Sequence, residues 1–128
     1  MDIAYQMANY LAAAGFGTLN SDVFVGHIPD GTNGIYVERT GGQAEAYLPI
    51  EESALNIYAR NTSAASAIDK LEDIKRFIHR MHNTTTANAY IYRILLIGDV
   101  EDVDRDLEHA KTFRITVSVL HRDTALIS

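Results

Sequence analysis

Side chains able to do chemistry are few in this 128-residue chain and stand apart from one another. There is no cysteine, so disulfides, thiolate zinc sites and thiol nucleophiles are excluded together. His79 and His82 stand three apart in what reads as one long helix, a possible metal spacing, but no carboxylate is placed by sequence to complete a site. Two histidines among basic residues at a helix end are accounted for by compensation of the macrodipole. His27, His109 and His121 have no identifiable partner. No serine lies in a Gly-x-Ser-x-Gly elbow. Gly15-Phe16-Gly17-Thr18 follows a helix and lacks the Gly-x-Gly-x-x-Gly pattern, so it reads as a capping turn and not a nucleotide loop.

Carboxylates offer the best remaining chemistry. Asp102, Asp104 and Asp106 have the one-three-five spacing that opens a calcium loop, but Leu107 stands where its glycine belongs and Phe113 where its closing glutamate belongs. With Asp99, Glu101 and Glu108 they read as a solvated acidic hairpin tip. The expectation is therefore a non-enzymatic protein with no metal and no cofactor.

Composition leads the same way. One domain spanning residues 1–128 is expected, with a short C-terminal arm at about 122–128. Hydrophobic residues make up 47% and charged residues 22%, enough apolar material for a core that needs no covalent staple. The net charge of −6 carries no basic face for gripping nucleic acid. Met1-Asp2-Ile3-Ala4 lacks the basic stretch of a secretory signal, and no apolar run approaches the ~20 residues of a membrane span. No membrane association is expected, and assembly in a cytosol is. The sequons at Asn61 and Asn83 read as caps and turns.

The positioning elements follow from periodicity. Ile3, Met7, Tyr10, Leu11 and Ala14 form a helical stripe over residues 3–14, with Asp2 as cap and Gly15 as stop. Asp22–Ile28 and Ile35–Thr40 read as strands joined into a hairpin by Pro29–Gly34, and Gly41-Gly42 ends the second. Gln43–Ile50 reads as a loop exposing Tyr47, Leu48 and Ile50. Glu51–Arg60 is a strand in which Leu55, Ile57 and Ala59 alternate with Asn56, Tyr58 and Arg60. One of its faces turns inward, and the other is wet or meets a partner.

Ala64, Ile68, Leu71, Ile74, Ile78 and Met81 define a long helix over Ser63–His82, capped by Thr62 or Ser63. Ala89–Gly98 and Lys111–Leu120 are further strands, the first continuously apolar at Ile94, Leu95, Leu96 and Ile97. The fold class is α+β: an antiparallel or mixed sheet of about five strands with two helices packed on one face and the other face free.

One family shares the ordered features. Tyr10-Leu11-Ala12-Ala13-Ala14-Gly15-Phe16-Gly17-Thr18 closes the first helix, and Asp22-Val23-Phe24-Val25-Gly26-His27-Ile28-Pro29-Asp30 follows. Next come Thr40-Gly41-Gly42, Leu55-Asn56-Ile57-Tyr58-Ala59-Arg60, and the Ala64-Ala65-Ser66-Ala67 helix entry. Over roughly residues 5–120 the chain resembles the minor capsid and tail terminator proteins of long-tailed bacteriophages. Family members often carry a proline near the start of the fourth strand, and Tyr90-Ile91-Tyr92-Arg93 has none.

The resemblance implies a ring, usually of six copies, in the neck of the virion, assembled in the host cytoplasm. Its partners would be copies of itself, the tail tube protein and the head–tail connector or stopper, with DNA passing through without specific binding. Asp30, Asn33, Tyr47, Leu48 and Ile50 are candidate partner contacts, and Asp99, Glu101, Asp102, Asp104 and Asp106 candidate residues of the lumen or its rim. The alternatives are a head-side neck connector or stopper ring and a small host ligand- or metal-binding enzyme.

Overall fold

The structure is a computed structural model, and it describes residues 3–26, 33–44, 50–79, 82–85, 89–105 and 111–123. In chain order the elements are α1 (Ile3–Leu11), a π-helical turn at Ala12–Phe16, β1 (Val23–Val25), β2 (Gly34–Ala44), β3 (Ile50–Asn61), α2 (Ala64–Ile78), β4 (His82–Thr85), β5 (Ala89–Arg105) and β6 (Lys111–Asp123). The strands form one mixed sheet in the order β1-β2-β3-β6-β5-β4. This is the expected α+β class, with six strands where about five are expected; the addition is β4.

Both helices lie on the same face. Ile3, Met7 and Leu11 of α1 and Ala67, Leu71, Ile74 and Ile78 of α2 share a core with Ile35, Val37, Leu55, Ile57, Phe113, Ile115, Val117 and Val119 from alternate strand positions. The helices also meet through rings: Phe77 lies 5.5 Å from Tyr10 and 5.4 Å from Phe16. Gly15, at φ 97°, adopts the left-handed conformation that ends the first helical segment. Ser63 caps α2, its Oγ accepting from the Ser66 N–H at 3.3 Å, while Asn61 Oδ1 accepts from the Ser63 N–H at 2.9 Å.

Four sequence expectations are corrected. First, β1 and β2 do not form a hairpin. They pair in parallel, with Val23 opposite Ile35 and Val25 opposite Val37. Alternating apolar residues look the same in either strand direction, so pattern cannot separate the two. The parallel entry seats the Asp22 carbonyl against Gly34, where a Cβ would lie 2.5 Å from it. Second, Gly41-Gly42 does not end β2. Gly41 pairs with Ala54 and Gly42 with Ser53, after a bulge that follows Arg39, and the β2–β3 ladder runs to Ala44–Glu51. The expected Gln43–Ile50 loop shrinks accordingly.

Third, β5 continues past Gly98 through the acidic residues to Arg105, with register shifts around Gly98 and near Asp104. Fourth, α2 ends at Ile78 with His79 as its cap, and His82 opens β4, so the two histidines do not share a helix face.

Candidate assembly surfaces

The sheet face opposite the helices carries the second set of alternating residues. Tyr36 of β2 pairs with Tyr58 of β3, Tyr58 with Arg114 of β6, and Arg114 with Glu101 of β5. The two tyrosine rings stack, centroids 4.3 Å apart and planes 6° from parallel. Asn56 Nδ2 donates to the Tyr58 hydroxyl at 3.1 Å, and the Thr116 hydroxyl donates to Asn56 Oδ1 at 2.8 Å. The Ser118 hydroxyl donates to Glu52 at 2.7 Å. The Tyr58 hydroxyl first, and Glu101 second, hold the Arg114 guanidinium above its ordinary pKa, so it stays charged. At the far end of this face Arg122 lies over the rings of Tyr90 and Tyr92, at 4.9 and 5.7 Å. Tyr58, Asn56 and Ser118 are buried although no described helix crosses this face. The flanking side chains cover them, and the surface is ordered by polar cross-links instead of apolar packing.

The acidic residues of β5 are spread over strand and bulge. Asp99 accepts from Lys75 Nζ of α2 at 2.6 Å and from the Val100 N–H at 2.7 Å, and Glu72 shares the lysine at 3.3 Å. The Lys75 ammonium holds the Asp99 carboxyl below the usual carboxylate range, and Asp99 raises Lys75 in turn. Glu101 pairs with Arg114 at 3.3 Å and Asp102 with Lys111. Asp99, Glu101 and Asp102 therefore each meet a cation of their own chain, which lowers the local field that six neighbouring acids would otherwise create. Asp104 lies in β5 opposite Thr112; Asp106 falls outside the described residues.

Of the other candidates, Asn33 is exposed beside a shallow depression lined by Phe16, Asp22 and Lys70. Ile50 opens β3 opposite Arg122. Asp30, Tyr47 and Leu48 lie outside the described residues.

Sequence reasoning missed two features. One is the apolar outer edge of β5, where Leu95, Leu96 and Ile97 are 44%, 43% and 59% exposed. Continuous hydrophobicity reads as burial, and the signal that contradicts it, the shortness of β4, is itself invisible in the sequence. Beside this edge, Ile78, Ile94 and Leu96 floor a groove of about 420 Å³ whose rim is Glu72, Lys75, Arg76 and His79. The other is the polar network of the open face, whose signal is present in the alternation of Asn56, Tyr58 and Arg60.

Among the described residues no three His, Asp or Glu side chains converge as a metal cluster would. The buried His121 meets Ser53 Oγ at 2.8 Å, an interior polar contact at the end of the core. No described helix is long and apolar enough to cross a membrane.

A search of curated proteins found no match. A family model described as bacteriophage tail terminator protein matches residues 10–109, which take in all the elements from the end of α1 through β5. With that match covering most of the chain, on an α+β fold of one mixed sheet and two helices, this protein belongs to the bacteriophage tail terminator family.

Proposed function

We propose that this chain is the structural subunit of a ring, of six copies, that caps the finished tail tube, stops its growth and offers a docking surface to the head connector. The family match over residues 10–109 carries this reading and favours it over a head-side stopper or a host enzyme. A terminator must not polymerise along the tube axis, and a closed ring satisfies its own contacts without open-ended growth. Catalysis has no part in this role, which needs neither metal nor cofactor. The ring assembles in the host cytoplasm and ends in the virion.

Two finer assignments belong to the same proposal. The hairpin bearing Asp99, Glu101, Asp102, Asp104 and Asp106 faces the lumen or its rim. Its net charge there is near zero or negative, so sliding DNA meets little phosphate binding that would oppose movement. Asp30, Asn33, Tyr47, Leu48 and Ile50 contact a neighbouring copy or the tube.

The test is native mass together with tail length. A mass of six protomers, and tails of uncontrolled length from phage lacking the protein, are expected. Tails of normal length from such phage would overturn the terminator role. Charge substitution at Tyr47 and Leu48 should weaken the ring and leave the protomer folded; unchanged oligomer mass by light scattering would reject that contact.

A further inference from the structure

The groove between α2 and the outer side of β5 is an apolar seat in a largely polar surface. Ile94 and Leu96 of β5 and Ile78 of α2 make its floor, and its volume is about 420 Å³. Cavities that enclose a small organic group run from ~300 to 1,000 Å³. Leu96, and Ile97 beside it, are left exposed. Among the described residues β4 pairs only with Tyr90, Ile91 and Arg93, so it stops short of this stretch.

Charge on the rim is already balanced within the chain. Lys75 pairs with Asp99 at 2.6 Å and with Glu72 at 3.3 Å, and Arg76 pairs with Asp73 at 2.7 Å. A charged occupant would break these pairs or bring a charge onto the apolar floor without a partner. The seat therefore favours neutral, apolar side chains.

The chain carries a segment of that chemistry beyond its last described strand. β6 runs through Arg122 to Asp123, so the expected C-terminal arm begins at Thr124. Thr124-Ala125-Leu126-Ile127-Ser128 has no charged side chain and two large aliphatic ones.

Reach keeps Leu126 and Ile127 out of the groove of their own copy. β6 ends at Asp123, opposite Ala89, and runs antiparallel to β5. Ile94 and Leu96 lie opposite Val119 and Val117, four and six residues back from Asp123, which is roughly 13 and 20 Å at the rise of a strand. Fully extended, Leu126 stands at most about 11 Å from Asp123 and Ile127 about 14 Å. Both would also have to reverse direction and cross β5 to arrive.

We propose that Leu126 and Ile127 of one copy seat in the α2–β5 groove of the next, and that this exchange of arms ties the ring together. The inference rests on the ring reading given above. Seating removes apolar surface from water on both partners, Leu96 and Ile97 on one side and the arm on the other. The contact is heterologous: the end of β6 in one copy meets the outer side of β5 in its neighbour. Every copy then gives one arm and receives one, as a cyclic assembly requires.

The chain has no cysteine, so introduced thiols report without background. Arg76→Cys on the groove rim and Ile127→Cys on the arm are co-expressed as two distinguishably tagged chains, purified together and treated with a short bifunctional maleimide. A covalent dimer of the two variants, absent when either is treated alone, is expected. Circular dichroism matching the parent chain confirms that each variant is folded; Glu72→Cys replaces Arg76→Cys if it does not. Leu126→Asp should raise the concentration needed for assembly about tenfold or more by light scattering, with circular dichroism unchanged. A cross-link formed inside one chain carrying both thiols, without the mixed dimer, overturns the exchange in favour of an arm folded onto its own copy. A multimeric native mass without the mixed cross-link, or one that Leu126→Asp does not shift, overturns the seat and leaves the ring standing. A native mass of one protomer removes both readings.

Discussion

Tyr36 and Tyr58 stack on the helix-free face of the sheet, and the Tyr58 hydroxyl accepts from Asn56 Nδ2. One side chain thus links an aromatic pair to a polar chain that continues through Asn56 to Thr116. Tyr58→Phe keeps the stack and removes the hydroxyl, so it should cost about 1 kcal/mol of unfolding free energy. Tyr58→Ala removes both and should cost about 3–5 kcal/mol. Urea unfolding separates the two; equal losses would show that the ring contact contributes nothing.

Asp99 ties β5 to α2 through Lys75. Its carboxyl is held below the ordinary value, mainly by the Lys75 hydrogen bond and then by the Val100 N–H. A lowered folded pKa contributes stability that is fully present above the unfolded value of about 4 and is lost as pH falls through the folded value. Asp99→Asn should therefore lower Tm at neutral pH, by an amount that shrinks as pH falls below about 4. The partner Lys75 is raised, so its share persists below the ordinary lysine range and fades only as pH climbs beyond it. A Tm difference that stays constant from pH 7 to pH 2 would contradict the coupling.

Gly34 admits no Cβ, because the Asp22 carbonyl occupies the space. Gly34→Ala must push β1 away from β2 and should cost about 1–3 kcal/mol. Hydrogen exchange should localise the damage to the Asp22–Ile35 contact, where the Ile35 N–H donates to the Asp22 carbonyl at 2.9 Å.

Leu71 is fully buried between α2 and the sheet. Leu71→Ala should cost about 2–5 kcal/mol. Ser63→Ala, by removing the α2 cap, should cost about 1 kcal/mol. The ratio of the two, read from denaturation midpoints, checks whether packing or capping holds the helix.

The core was legible because its periodicities are clean. Leu71, Ile74 and Ile78 mark α2, and Leu55 and Ile57 with Ile115 and Val117 mark the two central strands, each pattern set by burial on one side. Strand ends and pairings were not legible, because partners elsewhere in the chain decide them. Gly41 and Gly42 look like a stop, yet Ala54 and Ser53 hold them in the ladder. Glu101 and Asp102 look like solvated loop, yet Arg114 and Lys111 stand across from them on β6. The histidine pair failed because β4 has no apolar alternation to announce it, so His82 reads as more helix. Of the candidate contacts, Tyr47 and Leu48 rest on being apolar residues in an expected loop, while continuous hydrophobicity gives no sign that Leu95–Ile97 lie on an exposed edge.

The strand order β1-β2-β3-β6-β5-β4 also has a cost in time. β3 is complete at Asn61, but its permanent neighbour β6 begins only at Lys111. A ribosome adding about 5–20 residues per second needs roughly 3–10 s to bridge that interval. Throughout it the inner edge of β3, with Leu55, Ile57 and Ala59 beside it, is an open template on a nascent chain. Synthesis in bulk during infection would place many such edges in the same cell at once. Folding speed and chaperone supply, more than the stability of the finished protomer, would then set the yield of ring subunits.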